Sequence, residues 1–252
     1  MKNISNSTPG DKLIFALDAS GFNEAQTWID LLTGHIGMFK VGKELFTAVG
    51  PRIVESIKAR GGRVFLDLKF HDIPNTVARA AEAAVKMNVD MLNVHASGGS
   101  RMMRETVEAV AGCAEKQGMP KPVILAVTVL TSLDYDDLKE IGFEQTTDDL
   151  VLRLAKIAQK SGMSGVVASP QDIATLRRDL SGDFVIVTPG IRNASEPVKD
   201  DQKRTLNARE AIEAGADYIV VGRPIRQAKD PLSVCRQIVQ EIACGLSART
   251  SS

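Results

Sequence analysis

The chain has 252 residues, a length that suits one large α/β domain and matches the usual size of an eight-stranded barrel. Lys and Arg together number 31, as do Asp and Glu, so no net charge favours nucleic acid or a membrane surface as partner. Cys113, Cys235 and Cys244 form no closely spaced metal or redox motif, and we interpret them as reduced packing residues of a cytoplasmic protein.

The chain begins with a polar segment, residues 1–10, which lacks the apolar centre of a signal peptide. We therefore expect a flexible N-terminal tail there. No apolar run approaches the roughly 20 residues that a membrane-spanning helix needs, so we expect no membrane association.

Eight apolar runs of strand length follow along the chain. They are residues 12–18, 37–41, 63–68, 91–95, 123–129, 165–168, 184–187 and 218–221. Segments between them, such as 75–87, 100–117 and 148–160, carry apolar residues at helical spacing. Alternating strands and helices indicate a parallel sheet. Eight units without a break in composition favour one domain over 1–252, a single α/β (β/α)8 TIM barrel, over an open sheet.

Polar residues stand at the end of most of these runs. They are Asp18, Lys40, Asp67, Lys69, Asn93, His95, Thr131, Ser132, Arg192 and Arg223. In (β/α)8 barrels the chemistry takes place at the carboxyl ends of the strands, so these side chains are expected to surround one mouth and form a site there.

The segment 67–76, which reads D-L-K-F-H-D-I-P-N-T, is the most unusual of these strand ends. Alternation along a strand puts Asp67 and Lys69 on the same face as the core residue Phe65. Asp72, in the following loop, is placed to be a second counter-ion for Lys69, since buried charges are usually paired. Taken alone, this motif fits a structural salt-bridge network as well as a catalytic site.

Two glycine-arginine turns follow the seventh and eighth strands. Gly190 and Gly222 allow close backbone approach, while Arg192 and Arg223 supply charge-assisted hydrogen bonds, a combination that predicts a phosphate site. The polar segment 193–205 between the turns is typical of a lid, in which Gln202 could fold over the phosphate. The alternative is that both arginines are surface residues after ordinary turns.

With these residues in view, nearly the whole chain resembles the orotidine 5'-phosphate decarboxylase family. The segment 67–76 matches the signature of that family almost letter for letter. Further matches are F-A-L-D at 15–18, F-K-V-G at 39–42, T-V-L-T-S at 128–132, T-P-G-I-R at 188–192 and V-G-R-P-I at 221–225.

The resemblance implies decarboxylation of orotidine 5'-phosphate to uridine 5'-phosphate in pyrimidine biosynthesis, without a metal or cofactor. It also implies a homodimer with active sites shared across the interface. The implied catalytic residues are Lys69, as proton donor, with Asp67, Asp72 and Lys40. The implied substrate contacts are Asp18, Lys40 and Asp67, Ile73 and Thr76 of the other subunit, Thr131, Pro189, Arg192, Gln202, Gly222 and Arg223.

Two alternatives remain open from the residues. A magnesium-dependent sugar-phosphate decarboxylase or synthase of the same superfamily would share the D-x-K-x-x-D strand, but an acidic residue would be expected where this chain has Lys40. A non-catalytic phosphate-binding barrel would need the phosphate turns without the charge network.

Overall fold

A computed structural model of the chain describes residues 8–191 and 206–250. Its eight strands are all parallel and close into a barrel in chain order, which confirms the predicted (β/α)8 TIM barrel. The strands are β1 (Leu13–Ala16), β2 (Met38–Gly42), β3 (Val64–Phe70), β4 (Met91–His95), β5 (Val123–Val127), β6 (Gly165–Val167), β7 (Val185–Thr188) and β8 (Tyr218–Val221).

Several strands end at residues other than those predicted. β1 ends at Ala16 rather than 18, because that is the last residue paired with β2, and Asp18 lies in the loop beyond it. β5 is likewise shorter than predicted. β3 instead runs on to Phe70, because its pairing with β4 resumes there after an interruption. Apolar runs therefore located every strand, while hydrogen-bond pairing set the ends.

Helices cover the outside of the barrel. They are α1 (Phe22–Leu32), α2 (Lys43–Val49), α3 (Arg52–Ala59), α4 (Pro74–Lys86), α5 (Gly99–Gln117), α6 (Tyr135–Glu140), α7 (Thr147–Lys160), α8 (Ile173–Asp179), α9 (Ala208–Ala214), α10 (Arg223–Arg226) and α11 (Pro231–Thr250). The three helices predicted over 75–87, 100–117 and 148–160 are α4, α5 and α7. Across the described residues, none of these helices is long and apolar enough to cross a membrane.

The barrel interior is filled by apolar side chains. They are Ile14, Ala16, Met38, Phe65, Met91, Leu125, Val185, Val187 and Val220. A larger apolar cluster lies between the strands and the helices. Since inward-facing residues alternate along a strand, Lys40, Asp67 and Asn93 come next on the inner face above this layer. The charged groups at the carboxyl-end mouth therefore rest on a packed apolar floor.

The opposite end of the barrel contains a buried ion pair. Arg177 of α8 bonds to Asp217, donates to the carbonyl oxygen of Gly215 at 2.7 Å and 2.9 Å, and donates to that of Phe184 at 2.8 Å. The carboxylate of Asp217 also accepts from the backbone N–H of Ile186 at 2.8 Å. One guanidinium thus ties α8 to the segments that lead into β7 and β8.

The first described residues lie at this same end. Pro9 and Gly10, which were predicted to belong to the flexible tail, are part of a short 3-10 helix, Pro9–Lys12. Residues 1–7 are outside the described part of the chain.

Candidate active site

The carboxyl end of β3 contains a bulge that brings two charged side chains together. Leu66 pairs with Leu92 and Phe70 with Val94, so three residues of β3 stand opposite one residue of β4. Lys69, the last residue of the bulge, has a φ of 51°, in the left-handed region that non-glycine residues seldom adopt. Lys69 therefore reaches the mouth through a local turn of the backbone, not through the regular alternation assumed from the sequence.

Four side chains at the mouth form a line of alternating charge. Lys69 Nζ lies 2.7 Å from Asp67 Oδ1, and Lys40 Nζ lies 3.4 Å from Asp67 Oδ2. The line continues from Lys40 Nζ to Asp18 Oδ1 at 3.3 Å. Gly42 leaves room for this contact, because a Cβ atom there would stand 3.3 Å from Lys40 Nζ. The structure thus brings together four of the residues singled out in the sequence.

Two of these groups, Lys40 and Asp67, have pKa values that their neighbours shift. Burial by itself would lower the pKa of Lys40, but Asp67 and Asp18 raise it above its ordinary value. Burial would likewise raise the pKa of Asp67, but Lys40 and Lys69 and the hydrogen bond from Asn93 lower it. The mouth therefore holds ionised groups of both signs around neutral pH.

A cavity of 590 Å³ opens above this line of charges. Eight of the residues predicted to contact a substrate or to act in catalysis line it: Asp18, Lys40, Asp67, Lys69, Thr131, Pro189, Gly222 and Arg223. Apolar side chains form much of the remaining wall, among them Val127, Val167, Ile191 and Val220. An ammonium beside a carboxylate in such a cavity can stabilise developing negative charge and deliver a proton to it.

The two glycine turns lie at one side of the cavity. Gly190 has a φ of 82°, and a Cβ atom on Gly222 would stand 3.1 Å from the Cβ of Ala16, so both positions suit glycine. Arg223 lines the cavity beside them. The predicted contacts Arg192 and Gln202, and the whole of the predicted lid, residues 193–205, lie outside the described residues.

Asp72, Ile73 and Thr76 are exposed and do not line the cavity of their own chain. The carboxylate of Asp72 accepts from the backbone N–H of Ile73 at 2.6 Å. In the described part of the chain, Asp67 is the acid within ion-pair distance of Lys69. The prediction that Asp72 is the second counter-ion of Lys69 is therefore wrong within one chain.

Two side chains on β4 have roles that the sequence did not reveal. Asn93, predicted only as a strand-end residue, is buried and bonds to both Asp67 and Lys69. His95 packs beside His71, with ring centroids 5.4 Å apart. Burial, followed by the proximity of His71, lowers the pKa of His95 to about 4, so its imidazole is neutral at pH 7. Pairing between β3 and β4 brings Asn93 and His95 to these partners, and the pattern of apolar and polar residues does not predict that pairing.

Among the described residues, the mouth lacks a converging set of ligands for a divalent cation. In the parts of the chain that the structure describes, no group of three or more His, Cys, Asp or Glu side chains converges on a point where a metal ion could sit. The space between Asp18 and Asp67, where two carboxylates face each other, already contains the ammonium of Lys40.

Comparison with known proteins gives the same family over most of the chain. The model of the family described as "Orotidine 5'-phosphate decarboxylase / HUMPS family" matches residues 11–238. A Syntrophus aciditrophicus protein named orotidine 5'-phosphate decarboxylase is 57% identical over 249 residues, 98% of this chain and 99% of the relative. A Trichlorobacter lovleyi protein of the same name is 50% identical and covers 94% of this chain and 97% of its own length.

Solved structures agree with this comparison. The crystal structure of orotidine 5'-phosphate decarboxylase from Lactobacillus acidophilus superposes with a TM-score of 0.78 at 36% identity, over 91% of this chain and 98% of the other. The structure of an uncharacterized conserved protein from Geobacillus kaustophilus superposes with a TM-score of 0.80 at 35% identity, over 91% and 99%.

Proposed function

We propose that this chain, which belongs to the orotidine 5'-phosphate decarboxylase / HUMPS family and is a carboxy-lyase, converts orotidine 5'-phosphate to uridine 5'-phosphate and carbon dioxide. The reaction would need neither a metal nor an organic cofactor. It would serve pyrimidine nucleotide synthesis in the cytoplasm. The observation that carries the proposal is the contact of Lys69 with Asp67 at 2.7 Å on the floor of the cavity.

The chemistry of the reaction explains why an ammonium is needed at that point. When the bond between C6 and the carboxylate breaks, its electron pair stays on C6, where no adjacent carbonyl can delocalise it. The charge of Lys69 stabilises that carbanion, and a proton from Nζ then forms the new C–H bond. Solvent returns the proton to Nζ before the next turnover. Asp67, 2.7 Å from Nζ, would hold the amino group of Lys69 in place for this transfer.

The remaining mouth residues would hold the rest of the substrate. Asp18 and Lys40, already paired at 3.3 Å, would bind the ribose hydroxyls. Thr131 would contact the pyrimidine, and Pro189, which lines the same cavity, would also contact the substrate. Gly222 and Arg223 would bind the phosphate, and we assign Arg192 and Gln202 to the same group from the resemblance.

A homodimer would complete the site. Asp72, Ile73 and Thr76 lie at the start of α4, and Ile73 is 67% exposed. An exposed carboxylate and a large exposed apolar side chain beside the mouth suit a two-fold contact in which each chain supplies these groups to the cavity of the other. Asp72 would then become the second acid beside Lys69 of the partner subunit.

An absorbance assay of orotidine 5'-phosphate loss, with and without exhaustive chelation, tests the proposal. We expect turnover that chelation leaves unchanged, because Lys40 supplies the positive charge between the two carboxylates. Activity that requires magnesium would instead support the sugar-phosphate branch of the superfamily. Binding of uridine 5'-phosphate without turnover would support a non-catalytic phosphate-binding barrel.

A further inference from the structure

Asn93 stands opposite the bulge in β3 and has no regular strand partner of its own there. Residues 67–69 face this single residue, which follows Met91 on the inner face of β4. Its side chain is buried, with only 1% of the residue exposed. A buried amide needs partners for both its oxygen and its nitrogen.

Both partners of the amide belong to the charged pair at the mouth. Asn93 Oδ1 accepts from the backbone N–H of Lys69 at 2.8 Å, and Asn93 Nδ2 donates to Asp67 Oδ1 at 2.7 Å. The orientation of the amide is fixed by these partners, because a backbone N–H can only donate and a carboxylate can only accept. One side chain therefore replaces the hydrogen bond that the bulge removes from the strand ladder and also binds the carboxylate that holds Lys69 Nζ.

The backbone at Lys69 needs such support. In the described residues only Lys69 and Asn88 combine a side chain with a left-handed φ, and a backbone in that region persists when its surroundings hold it. We infer that Asn93 is a positioning residue, which fixes the Asp67 carboxylate and the left-handed backbone of Lys69 so that Nζ points into the cavity. The inference rests on the proposed function for the reaction that this geometry serves.

Loss of the Asn93 amide would affect both lysines, because Asp67 contacts both of them. Its Oδ1 atom is shared by Asn93 and Lys69, while Oδ2 faces Lys40 at 3.4 Å. Without the amide, the carboxylate can rotate and the N–H of Lys69 loses its acceptor. Both lysines would then lose their fixed distances to Asp67, although no substrate-binding group has been removed.

Three variants separate this role from simple support of the fold. Asn93→Ala removes both hydrogen bonds. Asn93→Asp keeps an acceptor for Lys69 but faces Asp67 with a second carboxylate. The matched control is Thr106→Val, which removes the hydrogen bond from a buried hydroxyl to the carbonyl oxygen of Met102 within α5, away from the cavity.

For Asn93→Ala we expect the crystal structure to show Lys69 Nζ beyond ion-pair distance of Asp67 and the φ of Lys69 returned to negative values. We expect kcat to fall about 100-fold, because small misplacements of a reacting group cost about that much. The dissociation constant of uridine 5'-phosphate should change less than about threefold, since its phosphate and ribose contacts remain. Thr106→Val should keep kcat within about twofold, even if urea denaturation shows an equal loss of stability.

The pH dependence of kcat in Asn93→Asp distinguishes a positioning role from a purely structural one. At about pH 8 its carboxylate and that of Asp67 repel each other, whereas at about pH 5.5 the pair can share a proton, because adjacent carboxylates raise one pKa of the pair. The shared proton restores a donor toward Asp67 and leaves an acceptor for the Lys69 N–H. We therefore expect kcat relative to the unmodified protein to rise about tenfold on acidification, which corresponds to one pKa unit of differential interaction.

An Asn93→Ala structure with unchanged Lys69 geometry and kcat within about threefold of the unmodified protein would overturn the inference. So would an Asn93→Asp profile that follows the unmodified protein over the whole pH range. If the unmodified protein does not decarboxylate orotidine 5'-phosphate, the proposed function fails, and the crystal structure of Asn93→Ala still decides whether Asn93 positions Lys69.

Discussion

At the scale of single residues, the neighbours of Lys40 and Asp67 keep both side chains ionised. Lys40 is enclosed on the inner face of the barrel, where burial works against a positive charge, yet Asp67 and Asp18 raise its pKa above the ordinary value. Asp67 has a lowered pKa for the reciprocal reason. Asp67 is therefore protonated only in strong acid, and Lys40 is deprotonated only in strong base. Substrate that arrives near neutral pH meets charges that are already in place, which is the arrangement that favours electrostatic catalysis.

Replacement of Lys69 by alanine should abolish turnover and leave the fold intact. Asp67 keeps its contacts with Lys40 and Asn93, so its carboxylate is not left unpaired. Proton transfer by a positioned side chain is typically worth about 10²- to 10⁴-fold, and the lost charge stabilisation adds to that. The measurements are kcat and the urea midpoint. Lys156→Ala is the control, since Lys156 also pairs with a carboxylate at 2.8 Å, but on the outer surface. Near-normal kcat in Lys69→Ala would remove Lys69 from the mechanism.

Arg223→Ala should reduce the contribution of the substrate phosphate to kcat/KM. The groups that contact the reacting carbon should be unaffected. Loss of a charge-assisted contact to a dianion costs about 2–5 kcal/mol, or roughly 30- to 4,000-fold in kcat/KM. With orotidine 5'-phosphate as substrate, kcat/KM of the variant should fall by this factor. With orotidine it should be almost unchanged, because orotidine has no phosphate for Arg223 to bind. Arg178→Ala is the control, because Arg178 is 74% exposed on α8 and pairs with Asp179, its neighbour in sequence. Equal losses on both substrates would mean that Arg223 supports the mouth structurally.

At the scale of strands and helices, some features of the site could be predicted from the sequence and others could not. Apolar runs located all eight strands, and because parallel strands end at one mouth, the amino-acid pattern alone was enough to place Asp18, Lys40 and Asp67 together. The bulge could not be predicted, since alternation along β3 assumes regular pairing with β4. The role of Asn93 was missed for the same reason, because its partners are 24 and 26 residues away along the chain.

The contacts of Arg177, which connect α8 to the segments before β7 and β8, should contribute to the stability of the fold and not to catalysis. Arg177→Met would leave the carbonyl oxygens of Gly215 and Phe184 without this donor and the Asp217 carboxylate, only 11% exposed, without its nearest cation. Removal of one partner from a buried ion pair costs about 3–5 kcal/mol. Urea denaturation should show this loss, with kcat unchanged in the folded protein.

A double-mutant cycle adds the control for that effect. Arg177→Met combined with Asp217→Asn should be less destabilised than the sum of the two single variants, because the second change removes the carboxylate that has lost its nearest cation. Strict additivity would show that Arg177 and Asp217 do not act as a pair, and that the carbonyl bonds of Arg177 account for its contribution.

At the scale of the whole molecule, one chain accounts for most of the predicted site but not for Asp72, Ile73 and Thr76. Sequence periodicity was sufficient for the barrel, because eight repeating units leave few other ways to bury their apolar faces. The three residues at the start of α4 are different, since they are exposed in one chain and the proposed shared site requires a second chain. Their assignment to a shared site therefore depends on an experiment that mixes chains.

Mixing two inactive variants tests whether Asp72 serves the neighbouring subunit. In a heterodimer of Lys69→Ala and Asp72→Ala chains, one site carries both changes and the other carries neither, by the symmetry of a two-fold interface. Random exchange makes about half of the dimers mixed, so about a quarter of the original activity should return. The matched control mixes Lys69→Ala with Asp67→Ala. Asp67 lies 2.7 Å from Lys69 of its own chain, so no intact site can form and the mixture should stay inactive. If the Asp72 mixture is equally inactive, although mixed dimers are detected by native mass spectrometry, Asp72 acts in its own subunit or not at all, and the shared site has to be abandoned.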